Sequence, residues 1–152
     1  MASTTGLYKT NMYDTTVCDL VDTPTSSLRV VGVLGDKILV GAHNLNARRK
    51  AVYVIEEDGP VDDSSSPLID VGSGQVESMV CASNRCAVAI SGDYLYIVDL
   101  VDGALHVNRS IANAWYATVH PNSRTVVAGT HGGIVVAHES DNFTTYGVCN
   151  TY

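Results

Sequence analysis

A segment that repeats along the chain constrains the fold more than any other feature of the sequence. Trp115–Glu139 contains three apolar runs of strand length, and turns rich in Pro, Asn and Gly separate them. A shift of 39 residues towards the N-terminus gives Glu77–Leu100, which has the same order of runs and turns. A further shift of 49 gives Leu28–Ala42. The sequence therefore predicts short antiparallel meanders that recur along the chain.

The repeats also align within their strands. Val88-Ala89 falls on Val127-Ala128, Leu95–Ile97 falls on Ile134–Val136, and Val17–Asp22 matches Ile97–Asp102 at an offset of 80. Self-similarity at a period near 40 is typical of propeller blades. We predict one all-β domain over residues 1–152, a β-propeller-like array of antiparallel four-stranded meanders. Its units are a partial blade at 1–27 and three full blades at 28–74, 75–113 and 114–152.

One stretch resembles a known family. Residues 120–139, HPNSRTVVAGTHGGIVVAHE, resemble the core of a WD-repeat blade, and the resemblance covers roughly residues 28–140. The motifs are degenerate: Cys18-Asp19 and Val98-Asp99 replace the closing Trp-Asp, and only Asp93 keeps the turn aspartate. The family's buried hydrogen-bond network is therefore not transferred to this chain. The resemblance implies a WD-like propeller that binds protein partners through its loops.

Composition narrows the class of protein. With 152 residues, 45% apolar and 16% charged, the chain can bury the core of one globular domain. A net charge of −7 argues against nucleic acid as a partner, and the apolar runs are too short to span a membrane. The N-terminus lacks the pattern of a signal peptide. We therefore expect a cytoplasmic or nuclear location.

The four cysteines do not follow a metal-binding spacing. Cys81 and Cys86 flank one turn and could face each other across a hairpin, within bridging range. For a cytoplasmic chain we favour buried free thiols over a disulfide.

We find no pattern that predicts catalysis or a cofactor. The acidic residues of 56–63 lie on one loop, and His120 and His131 lie in turns at opposite ends of a blade. His138 has no evident third ligand beside it, and Gly129–Gly133 leads into a strand instead of a phosphate-binding helix. The sequence therefore predicts a protein that is not an enzyme and has no catalytic, cofactor or metal site.

Propeller architecture brings the loops between second and third strands to one face, together with the loops that enter each blade. On that face we predict partner-binding residues, because Arg and Tyr suit interface centres. They are Arg48, Arg49, Lys50, Tyr94 and His131. The predicted function is a non-enzymatic protein–protein interaction scaffold or assembly subunit.

The sequence leaves ring closure open. A compact ring, a second copy of the chain and a different protein chain are all compatible with three blades and a fraction. The alternative function is a propeller with few blades that binds a small ligand or glycan and closes by homo-oligomerisation. Its stacking candidates would be Tyr94, Trp115 and Tyr116, but an aromatic residue does not recur at one position of each repeat.

Overall fold

A computed structural model describes residues 2–3, 6–11, 14–22, 26–44, 49–56, 66–122, 124–144 and 146–149. Within these residues the fold is all-β, as predicted, and its helical content is one 3₁₀ turn at Glu139–Asp141. The strands in chain order are β1 (Ala2–Ser3), β2 (Gly6–Asn11), β3 (Asp14–Asp22), β4 (Ser26–Leu34), β5 (Lys37–Asn44), β6 (Arg49–Glu56), β7 (Ile69–Asp70), β8 (Gln75–Ala82), β9 (Arg85–Ser91), β10 (Tyr94–Val101), β11 (Ala104–Ala112), β12 (Ala114–Val119), β13 (Thr125–Thr130), β14 (Gly133–His138) and β15 (Tyr146–Cys149).

Consecutive strands pair into four separate antiparallel sheets within the described residues. Sheet 1 is β1-β2-β3, sheet 2 is β4-β5-β6-β7, sheet 3 is β8-β9-β10-β11 and sheet 4 is β12-β13-β14-β15. Sheets 2 to 4 are the predicted four-stranded meanders. Sheet 1 has three described strands.

A β-bulge recurs at the same place in sheets 2, 3 and 4. It interrupts the pairing of the first and second strands between Leu28 and Val30, between Val76 and Ser78, and between Ala114 and Tyr116. The extra residues are Arg29, Glu77 and Trp115. A bulge adds one unpaired residue and bends its strand, so its repetition gives the three first strands a common shape.

The registers beside the bulges show that the sequence alignment of the second strands in sheets 3 and 4 is wrong by one residue. Counted from the bulge, the residue equivalent to Val88 is Ala128 and not Val127, because Val88 pairs with Tyr96 and Ala128 pairs with Val135. Seven residues (89–95) separate the first pair and six (129–134) separate the second. The turn of sheet 4 is therefore one residue shorter, which a single offset of 39 cannot represent.

The amino-acid sequence also predicts a loop over residues 43–50 and an outer strand of the last repeat over residues 143–148, and both boundaries are wrong. The loop predicted over His43–Lys50 is shorter, because His43 pairs with Lys50 and Asn44 pairs with Arg49 as β5 and β6 continue. The outer strand of sheet 4 begins at Tyr146 instead of Phe143. Phe143 adopts a positive φ of 59° after the 3₁₀ turn, and its side chain is buried.

The sheets stack face to face in chain order. The first strand of sheet 3, β8, contacts the first strands of both neighbouring sheets, β4 and β12. We define the forward face of a sheet as the face towards the next sheet in the chain, and the backward face as the opposite one. The described sheets do not close into a ring within this chain.

Apolar clusters fill the two interfaces of sheet 3. Its backward face, with Val88, Ile90 and Val98, packs on sheet 2, and its forward face, with Ala89 and Leu95, packs on sheet 4. Because both faces are covered, β9 reads as a continuous apolar run instead of an alternating one.

A charged junction also joins sheets 3 and 4. The Arg85 side chain, 6% exposed, donates hydrogen bonds to Asp99 of its own sheet at 3.0 Å and to Glu139, in the 3₁₀ turn that follows β14, at 2.9 Å. It also lies 4.6 Å from the centre of the Phe143 ring. Burial lowers the pKa of Arg85, but hydrogen bonds to the two carboxylates more than offset that effect, and its pKa lies above the ordinary value.

The two cysteines beside the β8–β9 turn form a disulfide, so the prediction of free thiols is wrong for this pair. The register places Cys81 directly opposite Cys86, with their Cα atoms 4.0 Å apart. The bond therefore joins the end of β8 to the start of β9. None of the helices formed by the described residues has the length and apolar character required to cross a membrane.

Candidate interaction surface

The forward face of sheet 4 is apolar and exposed to solvent. Two rows of directly opposite residues form it: Tyr116, Gly129 and Ile134 in one row, and Thr118, Val127 and Val136 in the other. Tyr116 is 69% exposed and Ile134 is 44% exposed. These rows form a continuous surface of uncharged side chains.

The equivalent rows of the preceding sheets are buried. In sheet 3 they contain Ala89 with Leu95, and Ala87 with Ile97, and all four side chains are fully buried against sheet 4. In sheet 2 the equivalent residues include Leu39 and Val52, which are buried against sheet 3. The forward face of sheet 4 therefore has the same register as two faces that are covered by a neighbouring sheet.

A small residue occupies the same register position on all three forward faces: Gly41, Ala89 and Gly129. A Cβ atom at Gly41 would lie 2.9 Å from Cγ1 of Val76, on the first strand of the next sheet. The absence of a side chain lets the two sheets approach closely at this point. A Cβ atom at Gly129 would have open space around it.

A hydrogen bond shows how the next sheet packs against this row of residues in sheet 3. The Ala117 N–H, on the first strand of sheet 4, donates a 3.1 Å hydrogen bond to Ser78 Oγ on the forward face of sheet 3. Counted from the bulge, the residue equivalent to Ser78 is Tyr116. Tyr116 therefore stands where a following sheet would place the backbone of its first strand.

Tyr94 and His131, two of the predicted partner-binding residues, lie at the turn between the second and third strands of their own sheets. Arg48 lies outside the described residues, and Arg49 is the first residue of β6. Lys50 is a half-buried strand residue, and its carbonyl accepts a 3.0 Å hydrogen bond from the Val71 N–H. The expectation that Arg49 and Lys50 belong to a loop is therefore wrong, because β6 begins at Arg49.

The other two predicted residues each contact a neighbouring side chain. Tyr94 begins β10 and lies under the Arg109 guanidinium, 5.0 Å from ring centre to Cζ. His131 is exposed in the β13–β14 turn, and its ring meets Trp115 edge to face at 5.2 Å. The structure thus brings His131 together with an aromatic residue that the glycan-binding alternative uses.

Each of these turns lies beside the segment that enters its sheet. Gln75 pairs with Ser91 and Ala114 pairs with Thr130, and the Asn113 N–H donates a 2.7 Å hydrogen bond to the Asp93 carbonyl. This agrees with the sequence expectation for sheets 3 and 4, that entry loops and second turns share one edge. We call this edge the turn edge.

The bulged residues of the first strands differ in chemical type from one sheet to the next. Arg29 donates a hydrogen bond to the Gln75 side chain, and its Nη1 lies 4.0 Å from the Glu77 carboxylate. The equivalent residue in sheet 4 is Trp115, 38% exposed. The three bulge positions therefore hold a cation, an anion and an indole, so an aromatic residue does not recur there.

The described residues do not bring catalytic or metal-binding groups together. No cluster of three or more His, Cys, Asp or Glu residues that could hold a metal ion exists among them. The titratable group with the clearest perturbation is Tyr96, whose pKa is raised to about 12 by burial and by the 2.8 Å hydrogen bond that its hydroxyl donates to Asp93. This bond ties β10 to its own turn, which is a structural role.

Sequence reasoning missed the forward face of sheet 4 as a surface. It named Tyr116 as a stacking candidate, but it used Ile134, Val127 and Val136 only to align the repeats. A sequence signal for the face is the apolar row that the last repeat shares with the preceding repeats. A scan against models of known protein families finds no match, and no curated protein is significantly similar to the chain.

Proposed function

We propose that the chain is a WD-like β-propeller unit that acts as a non-enzymatic protein–protein interaction scaffold or assembly subunit. The observation that carries this proposal is the apolar forward face of sheet 4, in register with two faces that neighbouring sheets cover. Exposed apolar surface that repeats a buried interface marks a site of association. The bulges that recur in sheets 2 to 4 support the assignment to one repeating blade type.

The test replaces residues of this face in the full chain. Ile134→Lys and Tyr116→Lys place a charge on the forward face, and Val101→Lys places one on an exposed apolar residue of β10, outside that face. We expect each of the two face variants to recover at least about tenfold less co-purifying protein than the wild type does. A second copy of the chain, expressed under another tag, is one of the proteins whose recovery is measured. Val101→Lys retains them. Equal co-purification by all four proteins would contradict the proposal.

The turn edge is a second, separate part of the proposed interaction surface. Arg48, Arg49, Lys50, Tyr94 and His131 are its predicted contact residues, and the Tyr94–Arg109 and His131–Trp115 contacts give two of them ordered side chains. Replacing Arg48, Arg49 and Lys50 together by Ala tests it. If partner recovery then equals that of the wild type, this edge has no part in binding.

The glycan-binding alternative rests on Trp115 beside His131. Since Trp115 is the single tryptophan of the chain, its fluorescence reports directly on a ligand at this place. A saturable change on addition of mono- and disaccharides would favour the alternative. The mixed residues at the equivalent bulges, Arg29 and Glu77, favour the scaffold.

The location is a further part of the proposal. The sequence-based expectation of a cytoplasmic or nuclear location stays a prediction, and the Cys81–Cys86 disulfide argues against it, since disulfides persist in oxidising compartments and are rare in the cytosol. Recovery of the chain from cells with this pair fully oxidised would contradict the assignment.

A further inference from the structure

We propose that Asn142 carries an N-linked oligosaccharide, attached in an oxidising compartment. The site is the sequon Asn142-Phe143-Thr144, an Asn-X-Ser/Thr pattern in which X is not proline. This inference does not depend on the proposed scaffold function, and it contradicts the predicted cytoplasmic or nuclear location. It is carried by the conformation of the sequon, by its exposure and by the Cys81–Cys86 disulfide.

The sequon lies in a turn that presents its asparagine and its threonine to solvent. Asn142 ends the 3₁₀ turn with a φ of 59°, and its N–H donates a 2.9 Å hydrogen bond to the Glu139 carbonyl. Asn142 and Thr144 are both exposed, whereas Phe143 between them is 2% exposed. The buried ring anchors the turn, so the carboxamide and the hydroxyl stay accessible while the middle residue packs inside.

The hydroxyl of Thr144 takes part in a local contact. It donates a 2.6 Å hydrogen bond to the Asp141 carbonyl, three residues away in the chain. Because this contact is confined to the turn, the hydroxyl can exchange it for a contact with a transferase without loss of packing between sheets. An exposed turn is also the kind of surface segment that accommodates a bulky glycan.

A second sequon, which begins at Asn108, lacks these properties although Asn108 is itself exposed. Asn108 lies within β11 and pairs with Ile97 of β10. The half-buried Ser110 hydroxyl of this sequon donates a 2.6 Å hydrogen bond to the Phe143 carbonyl, so it connects sheet 3 to the last repeat. Release of this hydroxyl would break a contact between repeats. The structure therefore favours the sequon of the turn over the sequon of the strand.

The disulfide is independent evidence for the compartment. Cys81 and Cys86 lie directly opposite each other on β8 and β9 and are covalently joined. Disulfides persist in secreted proteins and in the lumen of the endoplasmic reticulum, and they are rare in the cytosol. N-linked glycans belong to surface segments of secreted proteins. Two separate features, a disulfide and an accessible sequon, thus indicate the same kind of compartment.

The modification is a substitution at the first carbon of the sugar. The donor is an oligosaccharide linked to a polyprenyl diphosphate. A bond forms between that carbon and Nδ2 of Asn142, which loses one proton, and the bond from the carbon to the diphosphate oxygen breaks. The polyprenyl diphosphate leaves with the bonding electron pair, so the step needs neither an oxidant nor a reductant.

The glycan would lie at the edge opposite the turn edge. β14 runs from the turn edge towards Glu139, whose N–H donates a 2.9 Å hydrogen bond to the Arg124 carbonyl beside the β12–β13 turn. The sequon follows directly at this opposite edge. A bulky sugar there adds solubility and leaves the turn edge uncovered, so the modification is compatible with partner binding at the turn edge.

The experiment isolates the full chain from the cells that produce it and examines its peptides by mass spectrometry. One sample is treated with an amidase that cleaves the bond between glycan and asparagine and leaves aspartate. We expect the peptide with Asn142 to carry an oligosaccharide before treatment and aspartate after it, and the peptide with Asn108 to be unmodified. Unmodified Asn142 would overturn the inference, as would a glycan at Asn108 alone.

Variants made in the same cells test the part of each sequon residue. Asn142→Gln and Thr144→Ala should lose the glycan, whereas Thr144→Ser, which keeps a hydroxyl, should retain it. Asn108→Gln is the matched control and retains the glycan as well. Circular dichroism shows that each variant remains a β-protein. A glycan that persists in Thr144→Ala, or that is lost from Asn108→Gln, would contradict the assignment to this sequon.

Discussion

Arg85 adds polar contacts to the apolar packing between sheet 3 and the last repeat. Its guanidinium is buried and bonded to Asp99 on β10 and to Glu139 in the 3₁₀ turn after β14. An arginine suits this position because its planar fork can donate to two carboxylates at once. Loss of the side chain leaves the Asp99 carboxylate, which is largely buried, without this cation.

The first prediction follows from this junction. Arg85→Met should lower the free energy of unfolding by about 3 kcal/mol, because removing one partner of a buried ion pair leaves the other charge uncompensated. The matched control is Arg124→Met, since Arg124 lies 3.8 Å from the same Glu139 but is exposed to solvent. We expect at most about 0.5 kcal/mol for the control. Urea unfolding measures both, and equal losses would contradict the role given to Arg85.

The second prediction concerns alkaline pH. The pKa of Tyr96 is raised by burial and by its hydrogen bond to Asp93, from an ordinary value of 10.0 to about 12 in the folded chain. The fold therefore favours the neutral phenol. This contribution is complete below the ordinary pKa and is lost as the pH rises through the folded-state pKa.

Tyr96→Phe should remove that part of the alkaline loss of stability. The variant also loses the hydrogen bond to Asp93, which costs about 1 kcal/mol at neutral pH. Urea unfolding at about pH 8 and about pH 11 compares the two proteins, with Tyr116→Phe as the control for an exposed phenol. The same pH dependence in wild type and Tyr96→Phe would show that Tyr96 is not the responsible group.

At the scale of single elements, the β8–β9 hairpin is held by its own covalent bond. Cys81 and Cys86 are paired residues on either side of the turn, and the bond closes a short loop. We expect Cys81→Ala together with Cys86→Ala to reduce the free energy of unfolding by about 2 kcal/mol, mainly by freeing the unfolded chain.

Reductant provides the control for this third prediction. Dithiothreitol should destabilise the wild type by a similar amount and leave the double variant unchanged. If reductant shifts both proteins equally, the stabilisation does not come from the Cys81–Cys86 bond.

Strands are the most predictable elements of this chain, and their register is the least predictable. Short runs of Val, Thr and Ile between turns that contain Gly and Asn identify β13 and β14 from the amino-acid sequence alone. The bulge at Trp115 and the shorter turn at His131 are not visible in such a pattern. Because side chains alternate along a strand, one residue of error moves each assigned side chain to the opposite face.

The candidate surface shows the same limit. The sequence indicated an apolar third strand in each repeat, yet Leu95 is buried while Ile134, at the equivalent position, is 44% exposed. Both strands place a short apolar run at these positions, Leu95–Ile97 and Ile134–Val136. Which of them is covered depends on whether another sheet follows, and that is a property of the assembled stack.

For the whole molecule, one claim is central: the forward faces of sheets 2 and 4 are equivalent, and only the first is filled by the same chain. This equivalence makes Gly41 and Gly129 a matched pair. A side chain at Gly41 would overlap with Val30 and Val76, whereas a side chain at Gly129 would enter open space.

The most direct test is therefore the free energy of unfolding of Gly41→Val and Gly129→Val, both made in the Ile134→Lys chain so that no other chain covers the face. We expect Gly41→Val to lose about 1–3 kcal/mol or more through overpacking. Gly129→Val should be neutral or gain up to about 1 kcal/mol, because valine suits a strand better than glycine does. A loss at Gly129 as large as the loss at Gly41 would show that this face is already filled, and would contradict the equivalence of the two faces.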